Sequence, residues 1–234
     1  MITIRKSEDR GQADNGWLKS HHTFTFGSYK DTAHSGFRAL RVINDDTVAA
    51  GRGFGAHAHR DMEILSYVIA GKLAHKDSMG HVEVLGPNEI QKMSAGNGVI
   101  HSEFNGSDTE PVHFLQIWIE SDRKGTAPAY QQIAFKPEEK LNQLKTLATP
   151  NAVEGAVQIQ QDATMAVAEL TQGTRVQHLL RAGRAAWVHV VFGEVTLNGQ
   201  ALRDGDAAAV EAESSLEIVA RGEKKAEVLL FDLA

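Results

Sequence analysis

Most apolar residues of this chain lie in short runs that end at glycine or at a polar turn. Five of these runs stand out because they are rich in β-branched and aromatic residues: Phe37–Asn44, Met62–Ile69, Val112–Ile119, Trp187–Phe192 and Glu227–Leu233. Runs of this length with turn signals between them are typical of the strands of a β-barrel or β-sandwich. The pattern therefore predicts an all-β protein.

Helical signals are weak and are confined to one stretch, Pro137–Leu144, which begins with a proline and acidic residues. Polar, loop-like sequence surrounds this stretch and separates two β-rich halves. We predict an N-terminal barrel at residues 1–130, a connecting segment at 131–149 and a C-terminal barrel at 150–234.

Composition and charge exclude several classes of protein. The net charge of -6 gives no support for a nucleic-acid surface. The sequence has no apolar run long enough to span a membrane, and its start lacks the apolar core of a signal peptide. The absence of cysteine excludes disulfides, thiolate ligands and thiol catalysis. We expect a cytoplasmic monomer or weak dimer that binds neither nucleic acid nor a membrane.

Two short motifs carry the candidate chemistry, an H-x-H at His57 and His59 and an H-x-E at His101 and Glu103. Side chains two residues apart on a strand point to the same face, so each motif presents two ligands to one side of a sheet. Three imidazoles and one carboxylate suit a first-row metal such as iron, copper, nickel, manganese or zinc. The motifs therefore predict a metal site, with Glu103 also available for catalysis.

The two halves resemble a degenerate repeat, because Val68–Leu73 and Val190–Val195 both turn at a glycine between apolar strands. Counting along this repeat gives the second-half positions that correspond to the four candidate ligands, which are Leu179, Arg181, Ile218 and Ala220. None of these residues is a metal ligand of the expected kind. We predict two barrels with a single metal site in the first.

Both motifs resemble the paired motifs of the cupin superfamily. The first motif is matched by Gly51, His57, His59, Glu63 and Gly71, and the second by Gly98, His101 and Asn105. The proline that is usual in the second motif is missing, which removes a turn residue and not a ligand. This resemblance implies two cupin barrels in tandem, the bicupin arrangement of double-stranded β-helix or jelly-roll domains.

Segments along nearly the whole chain resemble pirin-like proteins, and in particular their bacterial members known as quercetin 2,3-dioxygenases. The segments that carry this resemblance are Arg10–Leu18, His22–Phe26, Leu40–Asp46, His57–Tyr67, Met93–Gly96, His101–Glu103 and Leu229–Leu233. The resemblance implies an oxidoreductase of flavonoid metabolism. Such a dioxygenase uses Fe(II), or else copper, nickel, manganese or zinc, to cleave a flavonol such as quercetin with dioxygen and release carbon monoxide.

Two carboxylates compete for the fourth ligand position. Many cupins take this ligand from the first motif, which is Glu63 here, whereas pirin-like proteins take it from H-x-E, which is Glu103. Glu103 shares a face with His101, while a turn is expected between His59 and Glu63. We therefore assign Glu103 as ligand and catalytic base, and we expect Glu63 to orient a ligand or to pack.

Some residues have weaker signals for a role around the site. His22 is a candidate for the cavity mouth or for orienting a ligand, although a histidine bonded to backbone is the simpler interpretation. A planar substrate would need aromatic walls, for which the candidates are Phe24, Phe26, Phe54 and Phe104, and aromatic residues of a barrel commonly form plain core. The histidines in loop-like or hairpin contexts are expected to be exposed, and these are His21, His34, His75 and His81.

A non-enzymatic role is the main alternative that the resemblance leaves open. Eukaryotic pirin is regarded as a metal-dependent, redox-responsive partner of transcription factors, and other cupins simply bind small ligands. A metal-dependent sugar isomerase would use a similar site, but the resemblance along the chain supports it less.

Overall fold

The computed structural model describes all 234 residues, most of which lie in β-strands. The strands of the N-terminal part are β1 (Ile2–Arg5), β2 (Gly11–Asp14), β3 (Leu18–His22), β4 (Leu40–Val48), β5 (Gly53–His59), β6 (Met62–Ala70), β7 (Leu73–Asp77), β8 (Val82–Leu85), β9 (Glu89–Ser94), β10 (Val99–Asn105), β11 (Val112–Glu120) and β12 (Ala129–Ala134). The remaining strands are β13 (Lys145–Thr149), β14 (Val157–Gln158), β15 (Ala163–Leu170), β16 (Arg175–Leu179), β17 (Ala185–Phe192), β18 (Val195–Leu197), β19 (Gln200–Leu202), β20 (Ala207–Val210), β21 (Ser215–Ala220) and β22 (Ala226–Leu233).

Helical structure is limited to two single 3-10 turns, Ser7–Asp9 and Pro137–Glu139. The helix predicted over Pro137–Leu144 is therefore wrong beyond its first turn. The chain leaves the helical path because Asn142 adopts a positive φ of 58° and donates its backbone N–H to the carbonyl of Glu169. No helix of the structure has the length and apolar character needed to cross a membrane.

The chain forms two compact units whose bounds depart from a simple linear division. One unit contains Gly11–Phe135 and Asn151–Gln161, and the other contains Met1–Arg10, Lys136–Pro150 and Asp162–Ala234. The first ten residues, predicted to lie in the N-terminal barrel, join the C-terminal unit because β1 pairs with β20. Residues 136–149, predicted to connect the barrels, join it because β13 pairs with β15. Residues 151–161, predicted to lie in the C-terminal barrel, are hydrogen-bonded to residues of the N-terminal unit instead.

The N-terminal unit consists of two antiparallel sheets, with strand orders β12-β9-β6-β11-β4-β3-β2 and β5-β10-β7-β8. It contains two separate clusters of buried apolar residues. One cluster is built around Phe114 and Leu73 and the other around Ile64 and Val99. On β6, the buried Ser66 lies between Ile64 of one cluster and Val68 of the other. The interior of this unit therefore has a polar middle, and the candidate site lies there.

The C-terminal unit repeats the smaller sheet in the strand order β16-β21-β18-β19. Glu103 in β10 lies opposite His75, the third residue of β7. In the same way, Ile218 in β21 lies opposite Leu197, the third residue of β18. Ile218 and Leu216 thus take the places of Glu103 and His101, two residues earlier than the count from the sequence. Both are buried in one continuous apolar cluster, so this unit has no metal ligands at those positions.

Candidate metal centre

Three histidines from two adjacent strands meet at the polar middle of the N-terminal unit. His57 and His59 lie on β5, and His101 lies on β10 directly opposite His57. Each can offer a ring nitrogen such that the three nitrogens lie within 4.8 Å of one another. The ring centroids of His57 and His101 are 4.4 Å apart. The structure therefore brings together the three histidines that the two motifs single out.

An extra residue in β5 adjusts the register at this point. His101 lies opposite His57, but Glu103, two residues on, lies opposite Phe54. The strand β10 itself alternates regularly, so His101 and Glu103 both face the interior, as the spacing of the motif predicts. The irregularity lies in β5, where the carbonyl of Gly55 is 2.8 Å from Nδ1 of His57 and fixes that ring. Such bulges commonly redirect side chains beside functional sites.

Gly53 allows β5 to approach β10 closely. A β-carbon on Gly53 would stand 2.3 Å from the carbonyl oxygen of Glu103 and 2.4 Å from Cα of Phe104. We expect Gly53→Ala to lower the free energy of unfolding by about 2 kcal/mol and to weaken metal binding, because the two strands must separate. Gly55→Ala is the matched control, since a β-carbon there has open space. Thermal unfolding and metal titration of both variants measure the two effects. Equal losses of stability and metal affinity in Gly53→Ala and Gly55→Ala would contradict the role of Gly53.

The nitrogens of His101 indicate that the cluster is built for a ligand. His101 is 2% exposed, and neither Nδ1 nor Nε2 has a hydrogen-bond partner. Burying unpaired polar atoms is unfavourable, so an arrangement of this kind calls for an explanation. Burial, followed by the neighbouring histidines, lowers the pKa of His101 to about 3, and burial and His57 lower that of His59 to about 4. Neutral imidazoles are the form that binds metals, so the cluster fits a divalent cation.

Glu103 is buried and firmly held beside His101. The hydroxyl of Ser66 donates to one carboxyl oxygen at 3.0 Å and the amide of Gln116 to the other at 2.5 Å. Burial raises the pKa of Glu103 to about 7, and the charge of Asp46 contributes to this increase. A carboxyl oxygen of Glu103 lies within 4.8 Å of nitrogens of both His101 and His75. Glu103 therefore belongs to a second cluster that shares His101 with the first.

His75 is the third member of that second cluster, and its predicted exposure is wrong. It is 2% exposed because β7 alternates and directs Leu73, His75 and Asp77 inward. Its Nε2 is 3.1 Å from Oδ2 of Asp77, and its ring centroid is 5.4 Å from that of His101. The sequence signal was present in this alternation, directly after the turn at Gly71.

A cavity of about 80 Å³ is lined by His57 and Glu103 of these two clusters. Its lining residues are Leu18, Ser20, His22, Phe26, Asn44, Asp46, Phe54, His57, Glu103, Gln116 and Trp118. Of the residues with weak sequence signals, His22, Phe26 and Phe54 line this cavity. His22 is hydrogen-bonded through Nδ1 to Oδ1 of Asn44 at 2.9 Å, and not to backbone.

Three other candidates lie away from the cavity. Phe104 is 42% exposed, because it occupies the opposite face of β10 from Glu103, so the prediction that it walls the pocket is wrong. Phe24 is buried in the core without lining the cavity. Glu63 follows a turn at Asp61, which has a positive φ of 51°, and its carboxylate accepts a hydrogen bond from Ser94 at 2.7 Å. It belongs to neither histidine cluster.

Several polar residues of the cavity were not found from the sequence. Asn44 and Asp46 on β4 line the same wall of the cavity as Gln116 and Trp118 on the neighbouring β11. The signal that could have revealed the first pair is the placement of polar residues at alternate positions of a strand that is otherwise apolar. Such a placement is unfavourable in a barrel interior unless the polar groups serve a site.

Comparisons with known proteins are consistent with this geometry. A model described as Pirin matches residues 3–119, and one described as the quercetinase C-terminal cupin domain matches residues 146–233. The chain is 43% identical over 233 residues to quercetin 2,3-dioxygenase of Escherichia coli K12, covering 100% of this chain and 99% of that protein.

Solved structures extend these similarities. The chain is similar to the bacterial pirin YhhW of E. coli in complex with nickel(II), with 43% identity, a TM-score of 0.94 and coverage of 100% of this chain and 99% of that one. A quercetin 2,3-dioxygenase of Acinetobacter baumannii, 21% identical, has the same fold with a TM-score of 0.77 and coverage of 98% and 85%. The predicted fold class, two cupin domains in tandem, is confirmed.

Proposed function

Since this chain belongs to the pirin family, we propose that it is a metal-dependent quercetin 2,3-dioxygenase, which cleaves a flavonol with dioxygen. The observation that carries this proposal is the buried His101, whose ring nitrogens have no partner and which lies beside two further histidines that can turn a ring nitrogen toward it. The E. coli relative is a quercetin 2,3-dioxygenase, and we propose the same reaction for this chain. The nickel(II) complex of the E. coli pirin YhhW supports a divalent metal in this site.

In this proposal four residues hold one metal ion, and these are His57, His59, His101 and Glu103. Fe(II) is the proposed metal, because a set of three imidazoles and a carboxylate suits it and leaves positions open. When bound, the metal supplies Lewis acidity toward the 3-hydroxyl group of the flavonol. The hydrogen bond that Nδ1 of His57 donates to the carbonyl of Gly55 holds that ligand in orientation.

Glu103 has the second role of general base. A carboxylate within hydrogen-bond reach of a bound hydroxyl group can accept its proton and later return it. The groups of Ser66 and Gln116 fix both oxygens, so the carboxylate is oriented before the substrate arrives. The proton of the 3-hydroxyl passes to Glu103, and the surrounding apolar side chains exclude water.

Entry of a flavonol requires the mouth of the cavity to open. The present volume of about 80 Å³ is smaller than the roughly 150 Å³ that an engineered apolar cavity offers to benzene. The rings of Phe26 and Trp118 meet edge to face with centroids 5.5 Å apart. We propose that Phe26, which lies outside regular strands, moves aside to admit the substrate.

Aerobic incubation of the metal-loaded protein with quercetin tests the function. We expect catalytic loss of the visible absorbance of quercetin with equal amounts of carbon monoxide released and dioxygen consumed. A chelator should stop the reaction, and re-addition of Fe(II) should restore it. The absence of turnover with iron, copper, nickel and manganese would contradict the enzymatic proposal and favour a non-enzymatic, redox-responsive binding role.

A further inference from the structure

One side of the cavity is polar for reasons that metal binding does not explain. Ser20 pairs with Asp46, and His22 pairs with Asn44, across the strands β3 and β4. All four residues line the cavity. Nδ1 of His22 lies 3.3 Å from the hydroxyl of Ser20 and 2.9 Å from Oδ1 of Asn44, so these three groups satisfy one another.

Asp46 differs from these neighbours. It is 3% exposed, and its Oδ1 is buried without any hydrogen-bond partner. Ser20 provides a hydrogen bond to the same carboxyl group, which leaves the second oxygen available. An unpaired carboxyl oxygen in a cavity is unfavourable unless a bound molecule provides the missing partner.

Asp46 lies in the same cavity as Glu103, the residue proposed to accept the proton of the substrate. Asp46 and Glu103 line the same cavity, and the two carboxyl groups interact electrostatically. Aromatic side chains line the cavity as well, among them Phe26 and Trp118, whose rings can pack against a planar molecule. A planar molecule that has its reacting oxygen at Glu103 therefore lies in a cavity that Asp46 also lines.

We propose that Asp46 determines substrate specificity by hydrogen-bonding a further hydroxyl group of the flavonol, separate from the 3-hydroxyl that Glu103 deprotonates. This inference rests on the proposed function and defines its substrate class more closely. Flavonols that carry further hydroxyl groups are preferred, whereas a flavonol with the 3-hydroxyl alone leaves Asp46 without a partner. Sites built to bind a substrate hydroxyl discriminate strongly against analogues that lack it.

Two flavonols and five proteins test this inference. The flavonols are quercetin and 3-hydroxyflavone, and the proteins are metal-loaded wild type, Asp46→Leu, Asp46→Ala, Asp46→Asn and Asp45→Asn. We expect wild type to prefer quercetin in kcat/KM, and we expect Asp46→Leu and Asp46→Ala to lower the ratio of the two kcat/KM values by about ten- to hundredfold. Asp46→Asn should keep part of the ratio, because its amide still forms hydrogen bonds.

Asp45→Asn is the matched control, because it makes the same substitution one residue away on the other face of β4. The Asp45 carboxylate there is paired with His113 at 2.6 Å. Metal content and melting temperature identify the variants that fold. If Asp46→Leu does not fold, the kcat/KM ratio of Asp46→Ala tests the inference in its place. An unchanged ratio in a folded, metal-loaded Asp46 variant would overturn the inference.

A binding measurement separates this inference from the proposed function. Anaerobic quenching of tryptophan fluorescence gives the Kd of both flavonols without turnover. If wild type cleaves neither flavonol, the proposed function fails, and the Kd values decide about Asp46. A preference for quercetin that disappears in Asp46→Leu supports the specificity role, and a preference that persists overturns it.

Discussion

Replacing His101 by alanine is expected to remove the metal centre and, with it, the cleavage of quercetin. His101 is buried and is the one residue common to both clusters of candidate ligands. Outer-shell partners of metal ligands already contribute about 10- to 100-fold to affinity or activity, so loss of this ligand should lower kcat/KM by more than about a hundredfold. Steady-state kinetics at saturating Fe(II), together with the metal content per chain, measure the effect.

His113→Ala provides the control for this substitution. His113 lies on β11, is partly exposed, and pairs with Asp45 outside the cavity. We expect this variant to keep its metal and its turnover and to lose at most about 1 kcal/mol of stability, as is usual for an exposed ion pair. A His101→Ala protein that kept both metal and turnover would contradict the account.

Replacing Glu103 by glutamine is expected to act in opposite directions on the metal-free and the metal-loaded protein. In the metal-free protein, burial raises the pKa of Glu103 to about 7 from its ordinary value of 4.5. The folded state then holds the proton more tightly than the unfolded chain, so stability is lost as the pH rises from the unfolded pKa through the folded one. Glutamine has no such proton to lose.

We therefore expect metal-free Glu103→Gln to be more stable than metal-free wild type by about 1–3 kcal/mol near pH 8. The difference should shrink toward zero at about pH 4, below the ordinary pKa of 4.5, where the carboxyl of the wild type is mostly protonated in the folded and the unfolded state. The same variant should bind Fe(II) or Ni(II) more weakly and lose about 100- to 10,000-fold in turnover, the usual contribution of a general base. Unfolding curves at both pH values and metal titrations measure these effects.

The variant Glu63→Gln tests which carboxylate, Glu63 or Glu103, is the fourth metal ligand. Glu63 is buried beside Ser94 and lies outside both histidine clusters, so its replacement should leave metal affinity unchanged. A Glu63→Gln protein that lost its metal would assign the fourth ligand to the first motif.

For Glu103→Gln, a stability difference from wild type that did not depend on pH would contradict the argument that burial raises the pKa of Glu103.

The parts of the site that the sequence predicts are those that depend on strand alternation. His101 and Glu103 face inward together because residues two apart on a strand share a face. The same rule places Phe104 outside, on the face of β10 that it shares with Ser102. The exposure predicted for His75 is wrong for a similar reason, because the alternation of β7 turns His75 inward together with Leu73 and Asp77.

Other features depend on contacts between distant parts of the chain. The first strand joins the C-terminal unit through β20, and no local pattern indicates such a pairing. The unpaired oxygen of Asp46 can be recognised only once the hydrogen bonds of its neighbours are known. The helix predicted from Pro137 ends after one turn because Asn142 is held by the distant Glu169.

The most direct test of the metal centre is a titration of the metal-free wild type and of His101→Ala with Fe(II) under anaerobic conditions. We expect wild type to bind one metal ion per chain and to gain about 2.7 kcal/mol of stability when free metal reaches a hundred times the Kd. His101→Ala should show neither effect. Failure of the wild type to bind, or equal binding by the variant, would contradict the central claim that His57, His59, His101 and Glu103 form a metal site.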